Sequence, residues 1–290
     1  MIDIRFGDNL ELLKDLSDHM VRLIYIDPPF NTGKAQIRTR TKMVRDDNGT
    51  HVGFVGRRYS SQTISTMSFG DSFDEFLEFL YPRLVEAKRL LTHDGSFFLH
   101  LDYREVHYAK LLCDEIFGRE SFKNEIIWAY DYGGRPKNRW PAKHDNILWY
   151  TANPDKYVFR YDDIDRIPYM APGLVTPEKA ARGKTPTDVW WHTIVPTNSK
   201  ERTGYPTQKP LGIMKRIIAV HSDPGDLVLD FFAGSGTTGE AAAMLGRDAI
   251  LIDNNPEALR IMEKRLATYE TTFSNWQPQE QLATQPRLIK

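Results

Sequence analysis

The chain reads as an α/β protein with a Rossmann-like, mostly parallel sheet, and three stretches carry that reading. Leu227-Val-Leu229 is a short apolar run of the kind a parallel sheet buries on both faces, and Asp230 stands at its carboxyl end. Small residues follow, Ala233-Gly-Ser-Gly-Thr237, and they open an Ala-rich helix that runs toward Gly246. Ala249-Ile-Leu-Ile252 is the next apolar strand and ends on a second acid, Asp253. Strand, glycine turn and helix together let a backbone approach a nucleotide-like ligand at the carboxyl edge of a sheet. No Lys-Ser/Thr pair follows the glycines as in a phosphate loop. An acid before the turn and another after it suit a ligand with an amino group and a ribose, which favours S-adenosylmethionine over other cofactors.

Composition narrows the class. With 290 residues and 41% hydrophobic content, the chain can bury a full core as one large α/β domain with insertions. No apolar run is long enough to span a bilayer, and Met1-Ile-Asp-Ile-Arg5 already alternates like a strand, so neither a membrane partner nor a leader peptide is expected. The single cysteine, Cys113, lies in a helical pattern as a small core residue; it excludes internal disulfides and points to the cytoplasm. A net charge of −1 excludes a uniformly basic nucleic-acid binder, so such contacts must come from local patches. The histidines and the cysteine show no metal-ligand spacing, and no metal is expected.

Taken in order, Ile2, Ile4 and Phe6 alternate as a strand, and Leu10, Leu13 and Leu16 mark one face of a helix. Asp8 between them either caps that helix or serves as a third acid facing a cofactor. Val21–Ile26 is a buried strand that ends in Asp27-Pro28-Pro29-Phe30. The prolines supply no N–H and fix φ, so carbonyls are free to point into a cleft. A carboxylate beside a proline carbonyl offers two acceptors to one NH2 group, and Phe30 offers a flat face to a planar ring.

Residues 34–70 show no apolar period. Their cations, Lys34, Arg38, Arg40, Lys42, Arg45, Arg57 and Arg58, suggest a mobile basic loop that meets phosphates. A helix follows from Phe76 to Leu91 and is ended by Gly95; then come a strand over Ser96–Leu101 and a helix over 104–117 stopped at Gly118. Glu125–Tyr130 and Asn146–Tyr150 read as paired strands. Between them Arg135, Lys137, Arg139, Lys143 and His144 alternate with Tyr132 and Trp140, a pattern suited to phosphates and stacked bases. Residues 151–203 read as a variable insertion anchored by Trp190 and Trp191, and 269–290 as a loosely ordered tail.

The ordered set Asp27-Pro-Pro-Phe30, Gly204-Tyr-Pro-Thr-Gln-Lys-Pro210 and Asp230-Phe-Phe-Ala-Gly-Ser-Gly-Thr237 resembles the β class of amino-methylating DNA methyltransferases. Asp in the first motif makes the chain most similar to the adenine-N6 members. The resemblance covers the chain from Gly7-Asp8 to about residue 266. It implies a seven-stranded, mostly parallel sheet with an antiparallel edge hairpin and a circularly permuted motif order. The catalytic half is 1–150, the target-recognition insertion 151–203 and the cofactor half 204–268.

By the same resemblance, Asp230, Phe231, Phe232, Ala233, Gly234, Ser235, Gly236, Thr237 and Thr238 hold the methionine part of S-adenosyl-L-methionine. Asp253 with Asn254 holds its ribose, Asp8 approaches its adenine, and Thr207 and Lys209 lie near its carboxylate. Asp27, Pro28, Pro29 and Phe30 receive the base to be methylated. The implied partner is double-stranded DNA, with room for a homodimer and a cognate restriction endonuclease. Cytosine-N4 methylation shares the same two-acceptor geometry and stays open, as does an RNA or protein-amide substrate.

Overall fold

The computed structural model describes residues 1–30, 36–45, 51–52, 58–69 and 76–277. Its main sheet is built on β1 (Ile2–Phe6), β2 (Val21–Ile26), β6 (Leu91–Leu101), β7 (Phe122–Ala129), β8 (His144–Thr151), β9 (Val189–Trp191), β10 (Leu227–Asp230), β11 (Asp248–Asp253) and β12 (Thr271–Ser274). These pair in the order β12-β1-β11-β10-β2-β6-β8-β7-β9. β12, β1, β11, β10, β2 and β6 run parallel, and β8 pairs antiparallel with both β6 and β7.

Apolar runs without polar alternation require cover on both faces, and the packing supplies it. Along β2, Leu23 and Tyr25 enter one core and Ile24 and Ile26 the other. The first core is closed by α5 (Leu211–His221), α6 (Thr237–Met244) and α7 (Pro256–Arg265), through residues such as Ile217, Ala241 and Leu259. The second is closed by α1 (Asn9–Lys14), α2 (Phe76–Leu90) and α3 (Val106–Phe117), through Leu13, Leu84 and Ala109. Cys113 lies fully buried in that second core, where burial pushes its thiol pKa up and keeps it an inert apolar group.

The chain leaves β10 through α6 toward β11 on one side and leaves β2 through α2 toward β6 on the other. β10 and β2 are neighbours, in register at Val228↔Leu23 and Leu229↔Ile24. Connections that diverge from adjacent parallel strands open a crevice at their carboxyl ends, which is where an open α/β sheet binds ligands. Asp230 ends β10 and Asp27 directly follows β2, so the fold brings the two predicted sites to one crevice.

Several expectations need correction. The sheet has nine strands among the described residues rather than seven, because β9 from the insertion joins β7 and β12 from the predicted tail joins β1. The tail is therefore ordered at least through β12, and Trp276 beyond it packs edge-on against Phe6 at 5.5 Å. Residues 34–70 are not one loop. They contain a three-stranded antiparallel sheet of β3 (Gln36–Arg45), β5 (Arg58–Phe69) and β4 (His51–Val52), in the order β3-β5-β4. Such a ribbon satisfies its backbone through its own ladder, so the apolar period that marks a core strand is absent. β6 starts at Leu91, directly after α2, so Gly95 lies within a strand instead of ending a helix. Of the two anchoring tryptophans only Trp190 is buried, because neighbouring strand residues face opposite ways and Trp191 stays 76% exposed.

Candidate active site at the sheet crevice

The crevice is a cavity of about 980 Å³. Its cofactor side is held by two acids. The buried Asp230 carboxylate accepts from the Phe232 N–H at 3.0 Å and from the Thr238 hydroxyl at 2.6 Å. Burial pushes its pKa up to about 7, against those two hydrogen bonds and with help from the charges of Asp27 and Asp253. The Asp253 carboxylate accepts from the Gly234 N–H and the Asn255 N–H, each at 2.8 Å, and burial raises its pKa as well. The glycine turn is thus clipped to the end of β11 by a side chain.

The turn needs glycine for shape. Gly234 has φ +49°, and Gly236 has φ +74° as the residue that opens α6. A Cβ on Gly236 would lie 2.7 Å from Met262 Cγ on α7. Of the predicted cofactor residues, Asp8, Thr207, Lys209, Asp230, Phe231, Phe232, Ala233, Gly234, Ser235, Thr237, Thr238, Asp253 and Asn254 line the cavity. Gly236 does not; it turns toward α7. Gly239 was overlooked as the third glycine of Gly234-x-Gly236-x-x-Gly239. Its Cβ would fall 2.5 Å from Leu251 Cδ1, so it sets how closely α6 lies on β11. Asp8 caps α1, accepting from the Leu10 N–H at 2.9 Å, and also lines the cavity.

On the side of β2, Asp27, Pro28, Pro29 and Phe30 all line the cavity. Asp27 Oδ2 accepts from the Lys209 ammonium, which also lies 4.9 Å from the Phe30 ring centroid. Lys209 therefore reaches Asp27, and it lines the same cavity as the glycine turn. Asp27 Oδ1 is buried and has no hydrogen-bond partner among the described residues. A buried carboxylate oxygen left unpaired is costly, and it marks a place where a donor belongs.

Behind Asp27 stands a network that apolar patterning hides. The Tyr25 hydroxyl lies 2.6 Å from His100 Nδ1, His100 Nε2 lies 3.2 Å from Asp145 Oδ2, and the Tyr130 hydroxyl donates to Asp145 Oδ1 at 2.9 Å. Burial raises the Tyr25 pKa far above the phenol range, so its neutral hydroxyl is the donor to Nδ1 and Nε2–H is left for Asp145. Burial works against the Asp145 carboxylate, but the His100 hydrogen bond, the Lys209 charge and the Tyr130 hydroxyl outweigh it and hold its pKa low. One sequence signal existed. His100 and Asp145 interrupt apolar strands that pair with each other, at His100↔Ile147 and Leu101↔Asn146.

With the geometry in place, relatives can be set beside it. The family described as DNA methylase matches residues 21–264. The chain belongs to this DNA methylase family. It is 31% identical over 257 residues to the type II methyltransferase M.HpaI of Haemophilus parainfluenzae, covering 89% of this chain and 71% of that one. It is 30% identical over 268 residues to the DNA adenine methyltransferase YhdJ of Escherichia coli strain K12, covering 90% of this chain and 81% of that one. Among solved structures, the M1.HpyAVI–SAM complex aligns with a TM-score of 0.59 at 23% identity, covering 92% of this chain and 99% of that one. That likeness concerns the fold.

The surface basic residues of this DNA methylase divide into two groups. Lys143 is spent inside the loop between β7 and β8, where its ammonium donates to the carbonyls of Tyr132, Gly133 and Gly134. Arg135 pairs with Asp131 through both oxygens at 2.8 and 2.9 Å. Lys143 thereby closes the neck of the loop. Lys137 and Arg139 are exposed, and so is Trp140 at 94%. His144 opens β8 and is half-buried. Lys34 and Arg57 lie outside the described residues, as do the side chains of the strand residues Arg38, Arg40, Lys42 and Arg58. The cavity wall also takes Ile194, Val195, Pro196 and Thr197 from the end of the insertion, which composition alone did not single out.

Proposed function

We propose that this chain transfers the methyl group of S-adenosylmethionine to the N6 amino group of an adenine flipped out of double-stranded DNA. The observation that carries this reading is the unpaired, buried Asp27 Oδ1 beside Pro28 and Phe30 in the ligand-binding crevice. Its adenine part is supported by the likeness to YhdJ, named for adenine methylation. The bound cofactor supplies a methyl group already activated by a sulfonium.

The chain's own residues have the task of binding, orienting and excluding water. Adenine inside a duplex is out of reach, so it must leave the stack at a cost of a few kcal/mol. Phe30 offers a stacking face in return. Asp27 Oδ1 and the Pro28 carbonyl accept the amino hydrogens, which draws the nitrogen lone pair out of ring conjugation and aims it at the donor. Lys209 then exchanges its contact with Asp27 for the incoming base or cofactor. Asp230 takes the amino group of the methionine part, and Asp253, with Asn254 beside it, takes the ribose. No nucleophile is needed, consistent with a lone cysteine fully buried in the second core. Catalysis here is positioning and electrostatics.

Asp27→Ala should lower methylation on the order of 10²–10³-fold, the usual size of losing one group placed for a developing charge. Cofactor affinity, read by calorimetric titration, should stay within a few-fold. A folded variant that no longer binds cofactor would refute this division of labour.

A further inference from the structure

We propose that His100, seated on Asp145, is a positioning residue that acts through Asp27 to accept the proton shed by the methylated amino nitrogen. This rests on the amino-methylation reading above and adds the fate of the proton to it. Methyl transfer forms an N–C bond from the nitrogen lone pair and breaks the C–S bond, whose electrons stay on sulfur. The nitrogen is then cationic and must lose one N–H proton, with that electron pair returning to nitrogen. Asp27 Oδ1 is the acceptor in place. Once protonated it can no longer receive the next amino group, so the proton has to move on.

The surroundings of Asp27 leave one neutral base for it. Lys209 is a cation and holds Oδ2. Tyr25 is a neutral phenol that already donates. Asp230 is engaged by Phe232 and Thr238. His100 Nδ1 lies 3.9 Å from Asp27 Oδ1, and Asp145 waits at 3.2 Å on the far side of the ring. Phe30 and Trp128 wall the imidazole, with ring centroids 5.7 and 5.6 Å away, and His100 is fully buried. An imidazolium formed here sits between two carboxylates in a water-poor chamber, where ion pairing is strong.

When Tyr25 turns its hydrogen away, Nδ1 takes the proton from Asp27 Oδ1, and Asp27 is again an acceptor. Asp145 and Tyr130 both line the cavity, so the imidazolium discharges to water there once product leaves. Both nitrogens of His100 already have partners in Tyr25 and Asp145, so a histidine present only for packing could be replaced by an amide of similar shape at little cost in rate.

The test uses the full chain, its DNA target and saturating cofactor, with His100→Gln, His100→Ala and Asp145→Asn. Steady-state turnover in both His100 variants should fall on the order of 10²-fold, as when a positioned acid–base group is lost, while the first turnover stays within a few-fold. Cofactor and DNA affinities should stay within about twofold. Imidazole should restore His100→Ala, and substituted imidazoles should restore it in order of their basicity. Asp145→Asn, which removes the counter-charge, should move the acidic limb of the pH–rate profile to lower pH. A His100→Gln variant with wild-type rate and profile overturns the proposal, as does a folded His100→Ala that imidazole leaves inactive. If His100→Ala does not fold, His100→Gln alone decides. A wild type that leaves DNA unmethylated fails the amino-methylation reading as well, whereas an active wild type with an indifferent His100→Gln fails this proposal alone.

Discussion

Asp230 sits at the carboxyl end of a strand buried on both faces, and burial there, helped by the charges of Asp27 and Asp253, raises its pKa to about 7. A carboxyl raised on folding favours the protonated native state. Its contribution to stability is fully present below the unfolded value near 4 and is lost as pH rises through about 7. A ligand ammonium placed on Asp230 reverses this, because it favours the carboxylate. Cofactor binding below pH 7 should therefore release a proton, and affinity should rise as pH is raised through that region. Calorimetry in two buffers of different ionisation enthalpy checks this. Asp230→Asn should flatten the pH dependence and weaken binding about tenfold or more, the size of a charge-assisted hydrogen bond. At this scale Asp230, Asp253 and Asp27 were legible because strand ends with acids stand out in sequence. Tyr25, His100 and Asp145 were not, because polar breaks in apolar strands mark two of them but their meeting depends on β6 pairing with both β2 and β8.

The strand–turn–helix unit over β10 and α6 stands on two glycines with different duties. Gly236 supplies a left-handed backbone, and Ala there would cost about 1–2 kcal/mol from the conformation, with Met262 crowded in addition. Gly239 has helical backbone and supplies space. Ala there would press on Leu251 and should cost about 1–3 kcal/mol as overpacking. Urea unfolding should show a lower midpoint for each; an unchanged midpoint in Gly239→Ala would mean that α6 can lift from β11 freely. Elements that bury an apolar face were readable in advance, including β2, β10, β11 and the β7–β8 hairpin. β3, β5 and β12 were not. Their ladders rest on backbone pairing with little burial signal, as in Thr271-Thr-Phe-Ser274, which reads as polar tail until β1 is found beside it.

For the whole molecule, the order of the motifs mattered more than any one of them. Strand order brings the end of β2 next to the end of β10, so a two-acceptor motif near the N-terminus and a glycine turn some two hundred residues later form one crevice. The near-neutral net charge makes any DNA contact a matter of local groups, and within the β7–β8 loop Lys143 is engaged with backbone carbonyls while Lys137 and Arg139 are exposed. The central claim is that this crevice methylates adenine amino groups in DNA. It is tested most directly by expressing the chain in a bacterial host that lacks DNA methylation and sequencing the DNA by a method that reports modified bases, with Asp27→Ala alongside. N6-methyladenine is expected at one short recurring motif, and none with Asp27→Ala. Modification at cytosine N4 would contradict the choice of base, and unmodified DNA from a folded, cofactor-binding chain would contradict the claim itself.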